Sequence, residues 1–128
     1  MILDTSAIVS IFLKDEDHKD VLEKILEAKV IAIGSPTLAE TGIVLAAKIG
    51  QGSSTLLSRF LQENGVFIIS FGPDHYSVAV EAYERFGRGR HKAALNFGDC
   101  LTYAVAKLAN QPLLFVGQDF SHTDLKSA

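Results

Sequence analysis

Residues 1–13 read MILDTSAIVSIFL: a short apolar run, an acid, two hydroxyls, then a mostly apolar stretch at helical spacing. Ile2 to Asp4 has the size of a strand, and Ser6 is placed to cap a helix running through Leu13. A strand that turns at once into a helix is the opening of a β–α unit. Asp4 also comes too early for a basic and apolar leader to precede it, so the mature fold is expected to start almost at Met1.

The alternation continues downstream. Strand candidates Val30 to Ile33, Val66 to Ser70 and Leu113 to Val116 are short, apolar and near Gly, Pro or Asn. Helical patterns fill the intervals, mostly in pairs. Asp17 is placed to cap one with the stripe Val21, Leu22, Ile25, Leu26, and Ser35 with Pro36 opens another that runs to about Ile49 and Gly50. Ser53 or Ser54 starts a fourth, closed by Asn64 and Gly65. Gly72 and Pro73 open a fifth with Tyr76, Ala79, Val80 and Tyr83 on one face, stopped at Gly87. Asn96 opens a sixth carrying Phe97, Leu101, Ala104, Val105 and Leu108. Parallel neighbours need crossovers, and right-handed crossovers put helices on both faces of a sheet. The expected class is therefore α/β, a sandwich of helices around a parallel sheet, in one domain over residues 1–128.

Composition narrows the function. A chain of 128 residues with 48% apolar side chains is the size of one domain with one hydrophobic core. No apolar run approaches the ~18 residues of a membrane span. Cys100 is the single cysteine and makes no internal disulfide; its surroundings in DCLTYAVA fit a buried, reduced thiol in an intracellular protein. The net charge of −3 weighs against nucleic acid as a partner. Its distribution does not: ERFGRGRHK concentrates Arg85, Arg88, Arg90 and Lys92, whereas KDEDHKD is mostly acidic.

Ligand sites of such sheets gather beyond the carboxyl ends of the strands, and this rule sorts the acids. Asp4 ends the first strand. Glu40 lies early in the helix leaving the second, and Asp119 follows the fourth by three residues. Asp99 begins a helix that ends at the amino edge through the short turn Asn110 to Pro112, so it begins at the carboxyl edge. The connection Gly87 to Leu95 is expected to return across the sheet, within the ~30 Å that nine extended residues reach, and to bring the basic cluster toward the acids. Asp15 to Asp20, Glu81 and Glu84 fall elsewhere, and Asp74, although at the right edge, is held off if the third strand is outermost. Each site acid also has a purely structural use: Asp4 as a cap, Asp99 in a capping box with Asn96, Asp119 in an Asx turn, Glu40 as solvated surface.

Convergence favours chemistry. Two carboxylates ~4 Å apart repel by about 4 kcal/mol at an effective dielectric of 20, so four of them call for a compensating charge. Oxygen-only ligands, with the hydroxyls of Thr5 and Ser6 beside them, suit Mg²⁺ or Mn²⁺, and His18, His75, His91 and His122 lack the spacing of a zinc site. Such ions bind phosphate oxygens and align attacking and leaving groups for phosphodiester cleavage. Removing four negative charges from the net of −3 leaves +1 on the remainder, which is compatible with a nucleic-acid substrate.

MILDTSAIVSIFL, SPTLAETGIVL, GRGRHKAALNFGDCLTYAVAK and LLFVGQDFSHTD together resemble the PIN-domain ribonucleases, and more closely the VapC toxins of VapBC toxin–antitoxin systems. The resemblance covers essentially the whole chain. It implies the PIN-like three-layer α/β/α sandwich, with a central parallel sheet of four or five strands in the order 3-2-1-4. By the same resemblance Asp4, Glu40, Asp99 and Asp119 match the acidic metal and catalytic site, with Thr5 or Ser6 as the accompanying hydroxyl. Gly117 stands where many relatives carry a further acid, which leaves Asp119 to serve alone or with Asp124.

The expectation is thus a cytoplasmic, Mg²⁺- or Mn²⁺-dependent endoribonuclease, the toxin of a type II system, that cuts structured RNA such as tRNA and so inhibits translation. Arg88, Arg90 and Lys92 are expected to contact the RNA backbone, which positions without reading sequence. Products would carry a 5′-phosphate and a 3′-hydroxyl. The resemblance further implies a VapB-type antitoxin, whose C-terminal segment covers the site, and a homodimer. A phosphoacceptor domain would need an Asp after the third strand, where the chain reads IISFG. GRGRH follows a helix rather than a strand, which argues against a dinucleotide loop. A non-catalytic PIN-like RNA-binding module is the remaining alternative, and the intact acid set argues against it.

Overall fold

The computed structural model describes residues 1–128. Ten elements follow one another: β1 (Ile2–Leu3), α1 (Thr5–Leu13), α2 (His18–Glu27), β2 (Ala32–Gly34), α3 (Ser35–Lys48), α4 (Ser53–Glu63), β3 (Phe67–Ile69), α5 (Pro73–Phe86), α6 (Phe97–Ala109) and β4 (Leu113–Leu114). The strands form one parallel sheet in the order β3-β2-β1-β4, with Ile2 opposite Ala32 and Leu113, and Ala32 opposite Phe67. This is the sheet order that the resemblance implied. A fifth position beside β4 is taken by the C-terminal segment through a single parallel bridge, Leu113 to Ser127.

Side chains of successive strand residues point to opposite faces, and this alternation divides the core. Ile2, Ala32 and Leu113 pack with Ala79, Ala82, Phe86, Tyr103 and Val105 under α5 and α6. Leu3, Ile33 and Leu114 pack with Ala7, Ile8, Val21, Ile25, Leu45 and Phe60 under α1 to α4. The result is three layers. Close approach of α6 to the sheet depends on Gly34, where a Cβ would fall 2.7 Å from Val105 Cγ2.

Several expected boundaries move, each for a local reason. Asp4 rather than Ser6 caps α1, and Lys14 ends that helix in the left-handed conformation. Gly34 and not Ser35 is the N-cap of α3, because the Ser35 hydroxyl accepts the Phe71 N–H at 3.1 Å and ties β3 to the start of α3. Val30 falls outside β2, exposed, with its carbonyl accepting the terminal ammonium of Met1 at 3.0 Å. Val116 leaves β4 because its N–H donates to Ser6 Oγ at 3.0 Å. Only Val21 and Ile25 of the α2 stripe are buried; Leu26 is 71% exposed. Phe67 and Ile68 are exposed because β3 is the edge strand.

Candidate functional site at the carboxyl edge of the sheet

β1 runs directly into α1, and Asp4 sits at the junction, buried. Its Oδ2 accepts the Ser6 N–H at 3.1 Å and the Ser6 hydroxyl at 2.6 Å. Since Ser6 Oγ also accepts from Val116 N–H, one hydroxyl joins the β1–α1 turn to the segment leaving β4. Glu40, exposed on α3, accepts a hydrogen bond from Thr5 Oγ1 at 2.8 Å on its Oε1. Asp99 and Asn96 form a reciprocal capping box at the start of α6: Asp99 N–H donates to Asn96 Oδ1 at 2.9 Å, and Asn96 N–H donates to Asp99 Oδ2 at 3.1 Å. Gly98, between them, lies against Glu40, where a Cβ would stand 2.7 Å from Oε2. Asp119 is exposed on the turn after β4.

The electrostatics join these four segments. Burial raises the Asp4 pKa and the Glu40 charge adds to it, against the opposing Ser6 hydrogen bonds. Asp99 is raised to about 6, first by burial, with the Asn96 N–H opposing and the charges of Asp119, Asp4 and Glu40 adding. All four expected acids therefore share one electrostatic neighbourhood. The ion pairs of the chain, Lys24–Asp20, Arg85–Glu81, Arg85–Asp124 and Lys107–Asp124, include none of them.

An uncompensated group of carboxylates with hydroxyls beside it fits a hard divalent cation by donor chemistry. It is not a closed cage: no three His, Cys, Asp or Glu side chains are gathered tightly enough to grip one ion as they stand. Asp4 and Asp99 each spend one oxygen on a helix N-terminus, and Glu40 spends one on Thr5.

Two expectations are corrected. The Gly87 to Leu95 connection does not cross the sheet; its ends pair with each other, Arg88 N–H to Leu95 O at 3.0 Å and Leu95 N–H to Phe86 O at 2.9 Å. The reason is that α5 and α6 form an antiparallel pair, with Asp74 and His75 beside Leu108 and Ala109 at one end and Gly87 beside Leu95 at the other. The basic residues consequently stay with the α5–α6 connection and pair with none of the acids. Arg88 lines an apolar groove with Val80, Tyr83, Asn96 and Phe97, Arg90 lies over the Tyr83 ring at 5.2 Å, and Lys92 is exposed.

Asp124, the second correction, does not assist Asp119. It accepts from Tyr103 Oη at 2.7 Å and Lys107 Nζ at 2.8 Å, and so fastens the C-terminal segment to α6. Gly117 has φ +98°, a conformation that L side chains rarely adopt, so an acid there would be strained in this turn. His91 is structural: its ring packs edge-on against Phe86 at 5.2 Å, and its Nδ1 accepts the Ala93 N–H.

Three residues escape a reading confined to charge. Thr37, Thr41 and Thr102 are buried beneath the acids. Thr41 Oγ1 lies 3.0 Å from Thr5 Oγ1 and 2.8 Å from the Thr37 carbonyl, and the Thr37 and Thr102 hydroxyls meet at 2.8 Å. The signal was available, since Thr37, Glu40 and Thr41 fall three and four apart on one face of α3.

Comparison with known proteins agrees with this fold. The family model described as PIN domain matches residues 1–126. Ribonuclease VapC36 of Mycobacterium tuberculosis is 44% identical over 127 residues, covering 98% of this chain and 91% of the relative. Ribonuclease VapC of Mycolicibacterium smegmatis is 39% identical over 126 residues, covering 98% and 97%. Among solved structures, M. tuberculosis VapC20, a sarcin–ricin loop cleaving toxin, superposes with a TM-score of 0.82 at 18% identity and covers 99% of this chain and 97% of its own. Rickettsia felis VapBC2, bound to a DNA fragment from its promoter, gives 0.78 at 21% identity, with 99% and 96% covered. At those identities the superpositions speak for the fold.

Proposed function

The chain belongs to the PIN domain family and to its VapC ribonucleases, and from that premise we propose how this endoribonuclease toxin works and what it meets. Asp4, Glu40, Asp99 and Asp119 hold Mg²⁺ or Mn²⁺, directly or through water. When bound, the ion supplies Lewis-acid charge to a phosphate oxygen and lowers the pKa of a water for in-line attack. Thr5 and Ser6 orient Glu40 and Asp4 through the bonds described. Arg88, Arg90 and Lys92 hold the backbone of a structured RNA such as tRNA, whose cleavage to a 5′-phosphate and a 3′-hydroxyl inhibits translation.

A VapB-type antitoxin is the partner, its C-terminal segment placing a basic side chain among the acids. The apolar grooves on either side of Phe97, one against α5 and one against α3, favour peptide and self-association; Phe97 is 79% exposed, and Ile43, Val80 and Tyr83 are exposed beside it. A homodimer in the cytoplasm is the working unit, each copy one PIN domain over residues 1–128. No helix is long and apolar enough to cross a membrane.

The observation that carries this reading is the gathering of four acids from separate segments with no basic partner. Thermal melting with and without Mn²⁺ tests it. At a hundredfold excess over its dissociation constant the ion should stabilise the fold by about 2.7 kcal/mol. Asp99→Asn should lose most of that shift and all RNA cleavage. Equal shifts in the two proteins would remove Asp99 from the site.

A further inference from the structure

The buried threonines beneath the acids form two hydroxyl chains, and counting protons gives the first a direction. A threonine hydroxyl has one proton and two lone pairs, whereas a carboxylate oxygen only accepts. Thr5 Oγ1 faces Glu40 Oε1 at 2.8 Å and the Thr37 carbonyl at 3.3 Å. The charged and nearer oxygen takes its proton. Thr5 is then an acceptor toward Thr41 Oγ1, 3.0 Å away on its other side, whose one proton is shared between Thr5 and the Thr37 carbonyl at 2.8 Å.

The second chain starts one turn earlier on α3. Thr37 Oγ1 meets Thr102 Oγ1 at 2.8 Å, a contact between buried hydroxyls 65 residues apart in sequence. Either oxygen of the pair can donate, and the bond ties α6, three residues after Asp99, to α3, three residues before Glu40. Both chains meet at Thr37, whose carbonyl receives Thr41 and whose hydroxyl pairs with Thr102.

Back-bonding of a helical threonine to the carbonyl four residues earlier is an ordinary use of the residue, and it accounts for Thr41 on Thr37 O. It accounts neither for the Thr41–Thr5 contact nor for the Thr37–Thr102 pair. Valine would fill the same space in an apolar interior. We infer that Thr41 and Thr102 are positioning residues: Thr41 acts through Thr5 on Glu40, and Thr102, through its bond to Thr37, fixes α6 against α3, so that Glu40 and Asp99 are held in the orientation that accepts the cation. Neither would touch substrate. The inference rests on the cation site proposed above and assigns its supporting layer to named side chains.

The test uses the full chain with Thr41→Val, Thr102→Val, Thr41→Ser and Thr102→Ser. Mn²⁺ affinity is measured by calorimetry, the metal-free melting temperature by scanning fluorimetry, and kcat and KM on RNA. Loss of a group that orients a ligand typically weakens metal binding 10- to 100-fold. The valine variants should lose about tenfold or more in Mn²⁺ affinity and fall in kcat with KM little changed, and the serine variants should bind within about threefold of wild type. Valine variants that bind Mn²⁺ as tightly as wild type would overturn the inference. Serine variants as weak as valine would do the same, since the methyl and not the hydroxyl would then matter. If buried valine prevents folding, Thr41→Ala and Thr102→Ala take its place against serine, weaker Mn²⁺ binding by alanine alone supporting the relay and equal binding refuting it. A wild-type chain that binds no Mn²⁺ would defeat the cation reading and this inference with it.

Discussion

Gly98→Ala perturbs the site without altering any charge. Gly98 is the second residue of α6 and has no left-handed backbone, so alanine is conformationally acceptable there. Its Cβ, however, would lie 2.7 Å from Glu40 Oε2 and 3.3 Å from Cδ. Ordinary contact requires the carboxylate to retreat by roughly 0.7 Å, and the side chain that must yield is exposed and flexible. Alanine contributes about 0.5–1 kcal/mol of helix propensity, and disturbing the Thr5–Glu40 hydrogen bond removes a similar amount. Metal-free stability should therefore change little, by no more than about 4 °C in melting temperature. Cation binding should suffer more. A tenfold weaker site, at the concentration where wild type gains about 2.7 kcal/mol, gains only about 1.4 kcal/mol. Scanning fluorimetry with and without Mn²⁺ reads both quantities, and RNA cleavage should fall with the second. An alanine variant whose Mn²⁺ shift and cleavage match wild type would show that the position of Glu40 against α6 does not matter to the site.

Other expectations concern pH, salt and the C-terminal clamp. Asp99 has a folded-state pKa raised to about 6, so the stability it contributes is full below its unfolded value and disappears as pH rises through 6. In chelator, the chain should melt higher at pH 5 than at pH 7.5 by about 0.7 kcal/mol after discounting for partial exposure, and Asp99→Asn should flatten that dependence; a higher melting temperature at pH 7.5 would contradict it. Replacing Arg88, Arg90 and Lys92 together by alanine should reduce the slope of log affinity for RNA against log salt by about 2, measured by filter binding, because each lost phosphate contact contributes about 0.7 for single strands. Asp124 is opposite in sign to Asp99: burial would raise it, but the bonds from Lys107 and Tyr103 hold it below the ordinary range, so its contribution is present above the unfolded pKa and is lost in acid. Asp124→Asn should lower the melting temperature at pH 7 by an amount worth about 1 kcal/mol and leave Mn²⁺ affinity unchanged, which calorimetry would check.

The architecture was legible because periodicity reports burial. Every strand and helix anticipated from apolar spacing is present, and the parallel arrangement followed from their alternation. What was illegible depended on competition for hydrogen bonds. Ser6 and Asp4 were both able to cap α1, and the choice was settled by Val116, 110 residues away, which occupies the Ser6 hydroxyl. The path of Gly87 to Leu95 was misjudged because the direction of a helix relative to the sheet edge is a tertiary property; α5 leans along α6 rather than running back to the amino edge. Whether Asp124 assists Asp119 was not legible, because only the positions of Lys107 and Tyr103 take Asp124 out of the site. The threonine chains left only the spacing of Thr37, Glu40 and Thr41 on α3 as a trace, because an uncharged hydroxyl acquires a function only from what it faces.

Capping and ion holding began as rival explanations for Asp4 and Asp99, and the geometry makes them complementary. Clustering and burial both disfavour the charged form of these carboxyls. Backbone N–H groups at a helix N-terminus favour it. The Ser6 N–H on Asp4 and the Asn96 N–H on Asp99 thus offset part of the repulsion, and a carboxyl at about 6 remains mostly ionised at neutral pH. A neighbouring lysine or arginine would achieve the same ionisation, yet it would also occupy the position a cation needs. Helix termini stabilise the negative charge from behind, through one oxygen, and leave the front of the cluster without a basic competitor. A carboxyl held neutral there would instead have to shed a proton before it gripped an ion. On this argument Asn96→Ala, which removes the acceptor of the Asp99 N–H but no ligand, should loosen the box, raise the Asp99 pKa further and shift the pH at which Mn²⁺ binding is half-complete upward; an unchanged midpoint would mean that the cap and the ion site are independent.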